Sequence, residues 1–365
     1  MARIPFNDFV RHLAPLRPAV DEAMRRTLDS GWYVLGREGA AFEAELAEWL
    51  GARHAVGVGS GTDAITLALL ALGIGPGAEV ITTAMTAYPT ITGIKRAGAT
   101  PVVVDIEPDT GLLDVRKVAA AVSPLTRAIV PVHLYGQSCD MGALLALGEQ
   151  LGLPIVEDCA QSIGAAWQGR CTGTLGRLGC FSFYPTKNLG AFGDGGAVVT
   201  QDDVLVTRLR HLRNYGQTRR YYHDVEGLNS RLDELQAAIL RAKLPALAAA
   251  NQRRRALAGR YQAQLRGVQP MAERSYGCPA YHLFPVRVAR REAFMAALAE
   301  RGVETLIHYP VPVHRQRDFA APAALSLPAA EAFAAEIVSP PLYPELSEQQ
   351  IDEVCQAVND VTGRG

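Results

Sequence analysis

Short apolar runs alternate with stretches of helical spacing through the first half of the chain. Ala55–Val58, Glu79–Thr82, Pro101–Asp105, Arg127–Val132 and Pro154–Asp158 are each followed by a segment of helix length, the pattern of an α/β sheet. Strands so continuously apolar are covered by helices on both faces, which leaves their carboxyl ends as the place for chemistry. Asp158 stands at one such end. Upstream, Pro18–Ser30 and Ala40–Leu50 carry apolar residues at helical spacing, with Phe42, Leu46, Trp49 and Leu50 in the second. The aromatic link between them, Ser30-Gly-Trp-Tyr-Val-Leu-Gly36, is of a kind that meets a partner subunit when exposed.

The alternation stops after Gly196. A strand at Ala197–Thr200 leads into helices predicted at 202–213, 231–247 and 249–266. A strand near Tyr281–Val288, a helix at Arg291–Arg301 and a last helix capped by Ser347 with Gln350 follow. The pattern predicts a large domain at 1–250 and a smaller C-terminal α+β domain at 251–365. No internal repeat or low-complexity linker separates them, so close packing of the two is expected.

Composition narrows the class. With 48% hydrophobic and 20% charged residues over 365 positions, disorder and fibres are excluded. A formal net charge of −1 supplies no field toward nucleic acid or an anionic membrane. No apolar run reaches membrane-spanning length without Gly, Pro or charge, and the N-terminus lacks the apolar region of a signal peptide. Six cysteines without a CxxC pair point to neither a zinc site nor a disulfide framework, so free thiols, no metal and a cytoplasmic location are expected.

The most unusual stretch is Phe181–Gly196. A short buried strand ends at Pro185, and four glycines then hold a loop in which Lys187 is framed by backbone. A lone lysine in such a loop is ordinarily solvated. The glycines, however, permit close approach of another group, and a lysine kept partly dry has a depressed pKa that makes it a nucleophile for carbonyls. Ser60-Gly-Thr62, after the first strand, reads as the capped start of a helix. The amides of Gly61 and Thr62 there suit a phosphate. A plain capped turn is the commoner use of such a sequence, and a dinucleotide fingerprint fails at Thr62, where its third glycine belongs. Glu157 and Asp158 leave an apolar strand, where burial raises a carboxyl pKa unless a cation faces it. Helix capping or an arginine pair is the structural alternative. An anion-binding turn, a buried-edge carboxylate and a framed lysine together are what pyridoxal phosphate (PLP) needs.

With those residues in place the chain resembles the sugar-nucleotide aminotransferases of the DegT/DnrJ/EryC1/StrS family. The likeness runs through Ser30–Gly36, Ser60–Thr62, Val132-His-Leu-Tyr-Gly136, Glu157-Asp-Cys-Ala-Gln161, Ser182–Lys187 with Gly193–Gly196, Asn229–Gln236 and His308-Tyr-Pro-Val-Pro-Val-His314. It implies the PLP-dependent transferase fold type I, a large domain with a mainly parallel mixed sheet between helices plus the small domain. It makes Lys187 the Schiff-base lysine and proton shuttle, and Asp158 the partner of the ring nitrogen. Gln161 is placed near the ring hydroxyl, and Gly61, Thr62 and Ser182 at the phosphate. Asn229 is placed at the cofactor phosphate of a neighbouring subunit, which implies a homodimer with shared sites. Tyr88 stands in for the family's stacking aromatic, one residue displaced, with Ala87 at the usual position; Ile163 replaces a common histidine. Substrate contacts are expected from His308, Tyr309 and His314, residues that elsewhere are more often structural. Tyr215, within a basic run that is ordinarily solvated, is expected to flank a base or sugar.

The implied activity moves an amino group from glutamate to a keto-deoxyhexose on a nucleoside diphosphate, with the cofactor passing through pyridoxamine phosphate. The Asn-Ser-Arg-Leu-Asp form at 229–233 resembles members acting at C3, on a dTDP-3-keto-6-deoxyhexose. Amination at C4 and a PLP-binding regulator without turnover are the alternatives.

Overall fold

A computed structural model gives the fold and describes residues 3–319 and 325–363. The main sheet holds β1 (His54–Val58), β2 (Glu79–Thr83), β3 (Thr100–Val104), β4 (Thr126–Val130), β5 (Val156–Asp158), β6 (Leu178–Ser182) and β7 (Gly196–Thr200). Hydrogen bonds set the orders β1-β7-β6-β5 and β3-β2-β4. Parallel bridges from Ile129 to Ile155 and from Val132 to Asp158 join the two groups beside β4 and β5. β7 is antiparallel to both its neighbours, and the other pairings are parallel.

Alternation along the strands builds a core on each face. Cys180 and Val198 pack in one apolar cluster with Ile65, Leu67 and Leu69 of the helix Gly61–Ala71. The next residues, Phe181 and Val199, pack in another with Phe42 and Leu46 of the helix Arg37–Leu50. The helix Gly61–Ala71 is buried nearly all round, so the start of that helix is fixed against the strand ends beside it.

Beyond the main sheet, Gln269–Pro270, Val286–Arg287 and Ile337–Val338 form a small antiparallel sheet. Its core includes Tyr261, Phe284, Phe294, Leu298, Ile351 and Val354. The predicted strand at Tyr281–Val288 shrinks to Val286–Arg287 because Tyr281 turns left-handed at φ +47° and Pro285 has no N–H to give a ladder. The predicted helix 231–247 begins only at Glu234, since Asp233 bridges Val34 and Asn229 bridges Asn214. It ends at Lys243 and resumes as Leu247–Gln264 after Pro245 tightens the turn. Residue 251 lies inside that second helix. The capping box is present, with Gln350 N–H donating to Ser347 Oγ at 3.1 Å and Ser347 N–H to Gln350 Oε1 at 3.0 Å.

The N-terminus joins the C-terminal region. Ile4 donates to Gly302 O at 2.8 Å and accepts from Glu304 N–H at 3.1 Å, while its side chain is 1% exposed. Among the described residues no helix is long and apolar enough to cross a membrane.

Candidate active site

Four strand ends open on one cavity of about 300 Å³. Ser60, Gly61 and Thr62 follow β1; Thr86 and Ala87 follow β2; Asp158 ends β5; Ser182 ends β6. Gln161, Lys187 and Asp194 line it as well.

At one end the cavity meets a helix N-terminus. Ser60 Oγ accepts from Asp63 N–H at 3.1 Å, which is the predicted cap. Among the described residues the amides of Gly61 and Thr62 have no protein acceptor, and the helix dipole adds positive potential there. Gly61 is obligatory: a Cβ at this position would stand 2.6 Å from Ser182 Cβ. The close approach brings the Ser182 hydroxyl to the same end.

Asp158 lies deeper and is 3% exposed. Its Oδ2 accepts from Thr90 Oγ1 at 2.8 Å and its Oδ1 from Ala160 N–H at 3.0 Å. Burial pushes the carboxyl above its usual range, and these two bonds and Lys187 only partly offset it. Lys187 is half-buried in its loop, held by its own N–H to Tyr184 O at 2.8 Å. Loss of water pulls its pKa down to about 8, with Asp158 the opposing influence. A neutral amine is thus accessible near physiological pH.

Behind Asp158 sits a second polar cluster, His133, Glu157 and Cys159, whose potential ligand atoms lie within 4.8 Å of one another. His133 Nδ1 accepts from Cys139 N–H at 3.1 Å, so its proton is on Nε2, which faces Glu157 Oε2 at 2.9 Å. Glu157 also accepts from Gly173 at 2.8 Å, Leu175 at 2.8 Å and Gly176 at 2.6 Å. These bonds already occupy the histidine and carboxylate atoms a metal would use.

Other residues named from sequence fall elsewhere. Tyr309 joins the cavity wall indirectly, its hydroxyl accepting from Gln161 Nε2 at 2.9 Å. Burial pushes its phenol up to about 12. His308 stacks on Phe6 at 5.6 Å, and burial, then Lys187, lowers it to about 4, so it is neutral. Tyr88 does not line the cavity: it precedes Pro89 at the start of a helix, makes no capping bond with its side chain, and donates its hydroxyl to Asp318 at 2.7 Å. Ala87 takes the place on the wall. His314 is buried against Glu331, its Nε2 at 2.8 Å from the carboxylate, and is also absent from the lining. Asn229 and Tyr215 are exposed on the surface of this chain, and Tyr215 stacks under Arg231 at 5.2 Å. Sequence reasoning missed Thr90, Thr86 and Tyr184. Thr90 was legible as the residue after Pro89 in a helix leaving a strand's carboxyl end; nothing local marks the other two.

An anion-seeking helix end, a buried carboxyl short of a cation and a partly dry amine in one cavity fit the phosphate, ring nitrogen and aldehyde of PLP. The fold and this donor set define the class as a PLP-dependent transferase of fold type I, and the cofactor is PLP. The profile of the DegT/DnrJ/EryC1/StrS aminotransferase family matches residues 16–359, and the chain belongs to that family. It is 46% identical over 358 residues, 97% of each chain, to UDP-N-acetyl-3-dehydro-alpha-D-glucosamine 3-aminotransferase of Acidithiobacillus ferrooxidans. It is 48% identical over 364 residues to dTDP-3-amino-3,4,6-trideoxy-alpha-D-glucose transaminase of Streptomyces venezuelae, covering 98% of this chain and 96% of that protein. The crystal structure of S. venezuelae DesV superposes with a TM-score of 0.97 at 47% identity over the whole of both chains. The protein is an aminotransferase.

Proposed function

We propose that the enzyme moves an amino group from glutamate to C3 of a 3-keto-6-deoxyhexose carried on a nucleoside diphosphate, with dTDP as the first candidate, in amino-sugar biosynthesis. One observation carries the chemistry: Lys187, Asp158 and the unpaired amides of Gly61 and Thr62 converge on a single cavity. The choice of C3 rests on two relatives whose names place the transferred nitrogen at that carbon.

In this reading Gly61, Thr62 and Ser182 bind the phosphate, Asp158 holds a proton on the ring nitrogen, and Gln161 donates toward the ring hydroxyl. Bound there, PLP supplies an aldehyde for the amine and an electron sink for the carbon that loses a proton. Lys187 Nζ would anchor the cofactor and, once the amine of the donor displaces it, the freed Nζ would take a proton from one carbon and return it to another. A depressed pKa suits both duties. We assign His308 and Tyr309 as substrate residues, supported by the bond from Gln161, which lines the cavity, to the Tyr309 hydroxyl. Residues 1–250 carry the cofactor site and 251–365 form the smaller domain.

The same reading makes the enzyme a cytoplasmic homodimer. Its six cysteines are free thiols, in keeping with a reducing compartment. Trp32, Tyr33, Val34 and Leu35 expose between 39% and 63% of their surface, and Phe192 exposes 44%. Both segments flank the helix Glu234–Lys243, through the Val34–Asp233 bridge and the bond from Phe192 N–H to Gln236 at 2.8 Å. Asn229 stands exposed before that helix, ready to reach a second copy.

The test supplies glutamate with a 3-keto or a 4-keto deoxyhexose on thymidine diphosphate or uridine diphosphate, and locates the new nitrogen by NMR. Faster amination of a 4-keto compound overturns the C3 assignment. Mixing Lys187→Ala with Asn229→Ala chains is expected to restore activity, since one hybrid site contains both native residues. No gain after verified subunit exchange rules out the shared site.

A further inference from the structure

Tyr135 has a backbone that ordinarily belongs to glycine. Its φ is 59° and its ψ 7°, in the left-handed region that strains any residue with a Cβ. The chain nonetheless keeps a tyrosine there, 4% exposed, and three of its groups are engaged. Its N–H donates to Gln161 Oε1 at 2.7 Å. Its hydroxyl donates to the carbonyl of His308. Its ring stacks on Phe333 with centroids 6.4 Å apart. Gln161 Nε2 in turn donates to the Tyr309 hydroxyl at 2.9 Å. The contacts close a ring that runs from Tyr135 through Gln161 and Tyr309 to His308 and back.

The ring fixes orientations. A backbone N–H can only donate, so the Gln161 atom facing it is the oxygen, and the amide cannot flip without losing that bond. Nε2 is therefore held on the Tyr309 side with two protons. Tyr309 takes one, and the other meets no acceptor among the described residues, on a side chain that lines the cavity. The Tyr309 hydroxyl, having accepted from Gln161, keeps its own proton to donate. A glycine at 135 would adopt the same φ at no steric cost but would bring neither ring nor hydroxyl. A left-handed residue persists where its surroundings demand it.

We propose that Tyr135 is a positioning residue of the transfer reaction, holding Gln161 Oε1 and the His308 carbonyl from one rigid point so that the Gln161 N–H and the Tyr309 O–H face the cavity in fixed orientation. This rests on the reading of the cavity as the cofactor and substrate site.

The test is a double-mutant cycle on protein loaded with pyridoxal phosphate, with two readouts: the rate of the glutamate half-reaction and the midpoint of the pH titration of the bound cofactor's absorbance. Tyr135→Phe removes only the hydroxyl. It is expected to move the midpoint and to slow the half-reaction about three- to tenfold, the size of one buried hydrogen bond. In a Tyr309→Phe background the same change should cost less than about twofold, because the group it positions is gone. Equal losses in both backgrounds, or an unmoved rate and midpoint, overturn the proposal and leave Tyr135 a structural residue.

Hydrogen exchange of the segment 306–311 in cofactor-free protein separates this failure from that of the site reading. Faster exchange in Tyr135→Phe is expected, and unchanged exchange refutes the strut itself. Protein that takes up no pyridoxal phosphate refutes the site reading instead. Should Tyr135→Phe fail to fold, Gln161→Glu decides. It keeps an acceptor for Tyr135 N–H but puts a second acceptor before Tyr309, reversing that hydrogen bond. A shifted midpoint is expected, and an unshifted one sinks the proposal.

Discussion

Glu157 and Asp158 are neighbours on one strand, both buried carboxyls, at 0% and 3% exposure, yet their surroundings ask opposite things of them. A strand turns successive side chains to opposite faces. Among the described residues Glu157 meets His133 and three backbone amides, four donors. Asp158 meets two donors and a cavity, and its carboxyl is pushed up because the protein alone does not satisfy its charge. Residue type and burial do not separate the two. The number of partners does. An acid fully paired inside the protein is holding structure together, whereas one left short is waiting for something to bind.

That contrast is sharpened most by the amine that shares the cavity. Lys187→Ala is expected to lower turnover by on the order of a thousandfold or more. The visible absorbance of lysine-bound cofactor should vanish, and borohydride should no longer fix the cofactor's mass to the protein. A variant that is still labelled moves the anchor to another lysine. Glu157→Ala should act on stability instead, costing about 3–5 kcal/mol in urea unfolding, since four buried donors lose their acceptor. If it unfolds like the parent but turns over slowly, the roles of the two acids are reversed. Asp158→Ala is expected to cut turnover about ten- to a thousandfold while leaving the urea midpoint near that of the parent.

The smallest effect is in pH. Asp158 has a folded pKa above its unfolded one, so cofactor-free protein loses stability as pH rises through the window from the ordinary aspartate value to the raised one. Asp158→Asn should flatten that fall. Lys187 is shifted the other way, to about 8 from 10.5, so the unfolded chain holds more protons between those values and stability rises with pH across them. Lys187→Met should remove its share of the rise. Lys243, also pulled down to about 8 by burial, keeps the remainder. Thermal melts of cofactor-free protein from pH 4 to 11 read both slopes.

What sequence made legible was local. The Ser60 cap and the strand ending at Asp158 each depend on residues a few positions apart, and each is found as predicted. What it hid was set by distant partners. Tyr88 is bonded to Asp318, 230 residues on, and His314 is drawn off by Glu331. The left-handed Tyr135 carries no local sign, since its identity contradicts its backbone and only Gln161 and His308 explain it. The predicted helix at 231 starts late for the same kind of reason: Asp233 is taken by a bridge to Val34.

The docking of the N-terminus has a consequence for the order in which the molecule can be made. Ile4 pairs with residues 302–304, and Phe6, which stacks on His308, bonds through its amide to Glu304 at 2.9 Å. At ribosomal speeds of roughly 5–20 residues per second, the first residues wait about 15–60 s for those partners to be synthesised. The strand ends that hold Lys187 and Asp158 emerge well before then. The part of the cavity formed by Asp158 and Lys187 is therefore synthesised before residues 302–309, whose contacts with Ile4, Phe6 and Gln161 can form only later.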